Sequence, residues 1–168
     1  MIEKFKTLFF VKSSLISLYL ALTIPIPFIS IDKLKYLSIV LFILGLYLIT
    51  KITSDYVETC DKKVSYRTSL VSKTFGRRDW EILWKDIKLI KSFSTSQGSK
   101  VYYFFTSNGD NFLIPQRIEN FENFLLTISI KTGIDVKKIS YISPLWTYKL
   151  LTVISVLMII CEIFAFIG

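Results

Sequence analysis

A chain of 168 residues, 52% hydrophobic and 15% aromatic with a mean hydropathy of +0.50, has ample apolar surface to bury, which excludes a disordered protein. That hydropathy, with a net charge of +8 from 21 Lys and Arg against 13 Asp and Glu, points to a membrane protein with a basic cytoplasmic face, not to a soluble domain or a nucleic-acid binder. Histidine is absent, which removes the commonest general base and metal ligand, and Cys60 and Cys161 form no CxxC, so zinc and dithiol redox sites have no basis in the sequence.

The apolar residues fall in three blocks. A basic start, Lys4, Lys6 and Lys12, leads into the first, residues 8–31. Pro25 and Pro27 are expected to end its helix near Ile24, because proline removes a donor and restricts the residue before it. Residues 25–33 then read as a short turn. The second block, residues 36–50, has no charge and is bracketed by Lys35 and Lys51. A spanning helix takes about 20 residues, so spans are predicted over about 8–26 and 34–53, with the flanking lysines snorkelling. Residues 1–53 therefore read as a tail and a transmembrane hairpin. A signal peptide would share the basic start, but Pro-Ile-Pro-Phe stands where a small-x-small cleavage site would be, so the segment is read as retained.

Residues 54–142 have a different pattern. Val64, Tyr66, Thr68 and Leu70 alternate, as do Trp80, Ile82 and Trp84, which is the period of strands. Residues 101–106 form a continuous apolar run, read as core. Asn108-Gly109 between it and residues 111–114 is a hairpin signal, and Phe75-Gly76-Arg77-Arg78 reads as another turn. Six or seven strands fit before Pro115. Beyond it Ile118, Phe121, Leu125 and Ile128 recur at helical spacing, ending at Lys131-Thr132-Gly133 with a cation in the last turn and a glycine cap.

The third block, residues 150–167, carries one charge, Glu162. Ser143-Pro144 looks like a helix start, and Trp146, Tyr148 and Lys149 are placed to anchor it at an interface, so residues 143–168 read as a C-terminal transmembrane helix. Between Lys51 and Lys149 there are 16 Lys and Arg against 10 Asp and Glu. The positive-inside bias puts this segment and the N-terminus in the cytoplasm, with the hairpin turn and Gly168 on the opposite side.

The stretch from Asp61 to Asp135 resembles bacterial membrane proteins with a pleckstrin-homology-like domain. The resemblance rests on Lys63-Val64-Ser65-Tyr66-Arg67, on Gly76-Arg77-Arg78 leading to Trp84-Lys85-Asp86-Ile87 and Ile90, on the hairpin to Pro115, and on residues 118–125 with Thr132-Gly133-Ile134. A hairpin of spans followed by this domain is typical of that group, and a third span after Ser-Pro-Leu-Trp-Thr-Tyr is similar to its cyanobacterial branch. The resemblance implies a membrane α+β protein whose antiparallel sandwich or barrel of about seven strands is capped by one C-terminal helix. It implies a fold used mainly for binding lipids or proteins.

Nucleotide-binding and hydrolase signatures are missing, and without histidine nothing points to a catalytic group. The expectation is a non-enzymatic module with no cofactor, no metal and no evident small-molecule substrate. Lys62, Lys63, Arg67, Lys73, Arg77 and Arg78 could form a lipid- or partner-binding site, since guanidinium can fork onto a phosphate; the alternative is a solvated basic face. Glu162, an acid inside a span, is a candidate intramembrane contact, or it snorkels or is captured by Lys33 or Lys35. Residues 102–105 could suggest base stacking, but at strand spacing they read as core, and nucleic acid is not expected as a partner. The expected partners are membrane lipids and other membrane protein subunits, in a plasma or thylakoid membrane. The function expected is that of a scaffold, accessory subunit or assembly factor of a membrane complex, with anionic-lipid binding as the alternative and a minor transporter or enzyme component third.

Overall fold

The structure, a computed structural model, describes residues 2–167, and side chains of residues 2–166. Met1 and Gly168, the termini to which the sequence assigns opposite sides of a membrane, lie outside the described residues. In chain order the elements are β1 (Glu3–Lys6), α1 (Phe9–Thr23), α2 (Pro25–Ile29), α3 (Asp32–Ile52), β2 (Tyr56–Thr59), β3 (Lys63–Arg67), α4 (Leu70–Thr74), β4 (Trp80–Leu83), a 3-10 turn at Trp84–Asp86, β5 (Ile87–Ser94), β6 (Lys100–Thr106), β7 (Asn111–Leu113), α5 (Phe121–Thr132) and α6 (Leu145–Ile167). The fold is α+β and divides into two compact units. Among the described residues, 2–8 and 54–143 form a sheet unit, and 9–53 and 144–167 form a helical unit.

The sheet unit has two antiparallel sheets, β1-β2-β3-β4 and β5-β6-β7. Among the described residues there are seven strands, but the first is Glu3–Lys6, which the sequence presents only as a basic tail. Four residues are too short to show a period, and β1 gains its order from pairing with β2, where Lys6 lies opposite Tyr56 and Phe5 opposite Val57. The expected alternation through Thr68 and Leu70 stops at Arg67. Ser69 caps α4, its hydroxyl accepting from the Ser72 amide at 3.1 Å, and Leu70 faces solvent.

The core is the apolar side of both sheets closed by α5. Phe5, Val57, Val64, Ile82, Trp84, Tyr102 and Phe104 meet Phe121, Phe124, Leu125 and Ile128. The rings of Phe5 and Phe124 lie 5.3 Å apart, and the Trp84 indole N–H, buried with its ring, donates to the Cys60 carbonyl at 2.8 Å. Helix α5 starts three residues later than Ile118. That residue pairs instead with Thr7, and Asn120 takes a left-handed conformation (φ 51°) to turn the chain away. Its other end is as expected, with Gly133 in the left-handed region at φ 71°. The connection to α6 is strapped down: Lys138 O accepts from the Tyr102 hydroxyl at 2.7 Å, and Ser140 O from the Gln116 amide at 2.7 Å.

In the helical unit three helices are long and apolar enough to cross a membrane: Phe9–Ile29, Asp32–Ile52 and Leu145–Phe166. The prolines do not produce an extended turn. Ile24 is helical and Pro25 opens α2, a position where a missing N–H costs nothing. The chain is extended only at Ser30 and Ile31, so Lys33 and Lys35 lie in the first turn of α3. Helix α1 packs against α6 and α3. Its buried residues include Ser14, Ser17 and Ala21, and Ser155 of α6 is fully buried, the small-residue chemistry that lets helices approach closely. The Tyr19 hydroxyl donates to Phe42 O at 2.8 Å, and its ring lies where a Cβ on Gly45 would be.

Candidate functional site

The six cations singled out from the sequence are not one patch. Lys62 is exposed in the β2–β3 turn, at the end of the sheet opposite residues 68–79. Lys63 and Arg67 stand two residues either side of Ser65 on β3, and Glu81, opposite Ser65 on β4, bonds both, at 2.7 and 2.9 Å. The Lys63 hydrogen bond and then its charge, joined by that of Arg67, hold the Glu81 carboxyl below its ordinary range. Lys73 bonds Asp79 at 2.7 Å, and Arg77 bonds Asp55 at 2.7 Å. Four of the six thus share carboxylates, and Arg78 is exposed.

Two carboxylates organise the β3–β4 connection. Asp55, 4% exposed, accepts from the Ser69 amide at 2.9 Å, the Ser72 hydroxyl at 2.8 Å, the Tyr66 hydroxyl at 3.1 Å and Arg77. Burial, followed by the Asp55 charge, pushes the Tyr66 phenol up to about 12. Asp79 accepts from Lys73 and from the Thr68 hydroxyl and amide, at 2.7 and 2.8 Å. Those bonds, the one from Lys73 first, hold its carboxyl well below the ordinary range. Held from both ends, the loop presents Leu70 and Phe75, 83% and 68% exposed.

A second surface was hidden in the apolar run at residues 101–106. On β6 only Tyr102, Phe104 and Thr106 turn into the core. Val101, Tyr103 and Phe105 turn outward and line up with β5, Leu89 opposite Phe105, Lys91 opposite Tyr103 and Phe93 opposite Val101, with Leu113 of β7 beside Tyr103. Phe93, 48% exposed, packs its ring 5.6 Å from Tyr103 and 6.3 Å from Phe105, and the Lys91 ammonium sits 4.9 Å over Phe105. The signal was the failure of alternation: an antiparallel strand with one solvated face alternates apolar and polar, and residues 101–105 are apolar at every position.

No protein-family model matches the chain. It is 30% identical over 156 residues to an uncharacterized protein of Synechocystis sp., a match covering 88% of this chain and 77% of that one. The chain belongs to the family of this cyanobacterial protein. A match of that extent takes in residues of both units.

In the helical unit Glu162 Oε2 is buried without a hydrogen-bond partner among the described residues. Of the expected anchors on α6, Trp146 is exposed, Tyr148 is half-buried, and the Lys149 ammonium lies 4.9 Å over the Phe10 ring. Among the described residues no group of three or more Cys, Asp or Glu side chains is placed to hold a metal ion.

Proposed function

We propose that the protein is a non-enzymatic, membrane-tethered interaction module, a scaffold or accessory subunit whose sheet unit holds a partner protein of the same membrane. The observation that carries this reading is the outward face of β5-β6-β7, where Leu89, Phe93, Tyr103, Phe105 and Leu113 make a contiguous apolar surface with Lys91 as its one cation. Aromatic side chains around a single cation are the composition of protein interfaces. The four- and three-stranded sheets closed by α5 support the pleckstrin-homology-like reading, with a membrane hairpin entering between the first two strands.

Connectivity supports the topology. Lys6 pairs with Tyr56, and the Thr7 hydroxyl donates to Asp55 O at 2.9 Å, so the chain enters α1 and leaves α3 from neighbouring points. If both helices span, they do so as a hairpin. The 16 Lys and Arg between Lys51 and Lys149 favour the cytoplasmic side of a plasma or thylakoid membrane. Four of the six predicted cations already hold carboxylates, which lowers the positive potential offered to a lipid headgroup and favours the protein-contact reading.

The test is co-purification in mild detergent from native membranes, comparing the natural chain with Phe93→Asp and Phe105→Asp. The natural chain is expected to run in a complex that either substitution dissolves while the monomer stays folded. A natural chain running alone at monomer size, or variants that keep the partner, would refute the proposal.

A further inference from the structure

We infer that residues 68–79 are a preformed membrane foot, with Leu70 and Phe75 seated in the interface of an anionic bilayer. The inference rests on the reading of the apolar helices as spans and adds a lipid contact to it.

Three observations carry it. The first is position. Residues 68–79 leave β3 at Arg67, opposite Tyr56, and return at Trp80, opposite Tyr66, so the loop occupies the end of the sheet where the chain joins α1 and α3. Asp55, which fastens the loop through Ser69, Ser72 and Arg77, follows Ile52, the last residue of α3, by three positions. Three residues of chain reach no more than about 10 Å. A loop bonded to Asp55 therefore cannot stand far from the end of a span.

The second is chemistry. Leu70 and Phe75 are among the most exposed apolar side chains of the sheet unit and belong to one short loop. The same loop carries Lys73, Arg77 and Arg78; Asp79 and Asp55 pair with the first two, which leaves Arg78, exposed, as its unbalanced cation. Apolar side chains beside an unbalanced cation complement an interface of acyl chains under anionic headgroups. A protein surface would complement the aromatic face of β5-β6-β7 better, where one cation stands among five large apolar residues.

The third is order. Buried Asp55 and partly exposed Asp79 together hold this loop at Thr68, Ser69, Ser72, Lys73 and Arg77. Fixing the loop in advance removes the entropy that ordering it on the membrane would cost.

The experiment uses the full chain with Cys60→Ser and Cys161→Ser, reconstituted in phosphatidylcholine–phosphatidylglycerol vesicles. A single environment-sensitive label is placed at Leu70→Cys, at Phe75→Cys, or at Gln97→Cys in the β5–β6 turn. The labels at 70 and 75 are expected to shift to the blue, to be quenched about fivefold less by iodide than the label at 97, and to be quenched by brominated acyl chains. Arg78→Gln, or omission of phosphatidylglycerol, is expected to weaken that protection. Labels at 70 and 75 as open to iodide as the one at 97, in vesicles that retain the chain through alkaline carbonate washing, overturn the foot and leave the spans standing. Release of the chain by that wash overturns the spans and the foot together. Protection unchanged without anionic lipid overturns the role of the cations.

Discussion

Replacing Asp55 with Ala is the sharpest perturbation of the sheet unit. The change strips four donors of their acceptor at once: the Ser69 amide, the Ser72 hydroxyl, the Tyr66 hydroxyl and the Arg77 guanidinium. Ser72 is fully buried, and its hydroxyl loses both its contacts to the carboxylate, at 2.8 and 3.1 Å. Each buried group left unsatisfied costs about 1–3 kcal/mol. Arg77, half exposed, regains water, so its share is small. The expected loss is about 3–5 kcal/mol, summed over the buried donors left without an acceptor. Arg77→Ala leaves the carboxylate with three neutral donors and is expected to cost only about 1–2 kcal/mol. Amide hydrogen exchange in detergent micelles reads this directly. Amides of residues 68–79 and of β2 and β3 are expected to exchange roughly two to four orders of magnitude faster in Asp55→Ala. A change of less than about tenfold, or an Arg77→Ala effect equal to that of Asp55→Ala, would show that Asp55 does not organise the loop.

Two further predictions concern other parts of the molecule. Gly45→Ala puts a Cβ within 3.0 Å of the Tyr19 ring and should cost about 1–3 kcal/mol of thermal stability in detergent; Tyr19→Ala in the same chain should make the added methyl harmless, and equal losses in both backgrounds would refute the contact. Stability should also fall from pH 10 towards 12, because Tyr66 ionises in the unfolded chain near 10 but in the fold only near 12, so the unfolded state gains charge first. Tyr66→Phe should flatten that limb of the profile in a denaturation series.

Much of the architecture was legible because it rests on local chemistry. Asn108-Gly109 marked its hairpin, with Gly109 at φ 88°, since few other residues accept that turn. Gly133 marked the end of α5 for the same reason, and the three apolar blocks became helices near their expected limits. The prolines were misread for a local reason, since Pro25 can open a helix as well as end one; in the sheet unit a nonlocal partner decided the departures. Ile118 would extend α5 by its spacing, but pairing with Thr7 takes it. Leu70 continues an alternation, but Ser69 and Asp55 turn the chain there. Of the six cations, four meet carboxylates that lie between 6 and 22 residues away, a pairing that their order in the chain does not show.

Composition and pattern by themselves determined the class of this protein: apolar helices around a basic, strand-rich unit, without histidine and without a recognisable catalytic motif. Those are properties of windows of chain, where hydropathy and backbone preference act within a few residues. Only the tertiary structure decided that residues 3–6 are a strand and that Asp55 is a buried hub. It also decided that one apolar run serves two surfaces, Tyr102 and Phe104 turned into the core and Tyr103 and Phe105 turned outward. Each of those depends on which segments meet across the sheet. Pairing register and side-chain direction belong to the assembled fold, where a single-residue shift would exchange the two faces.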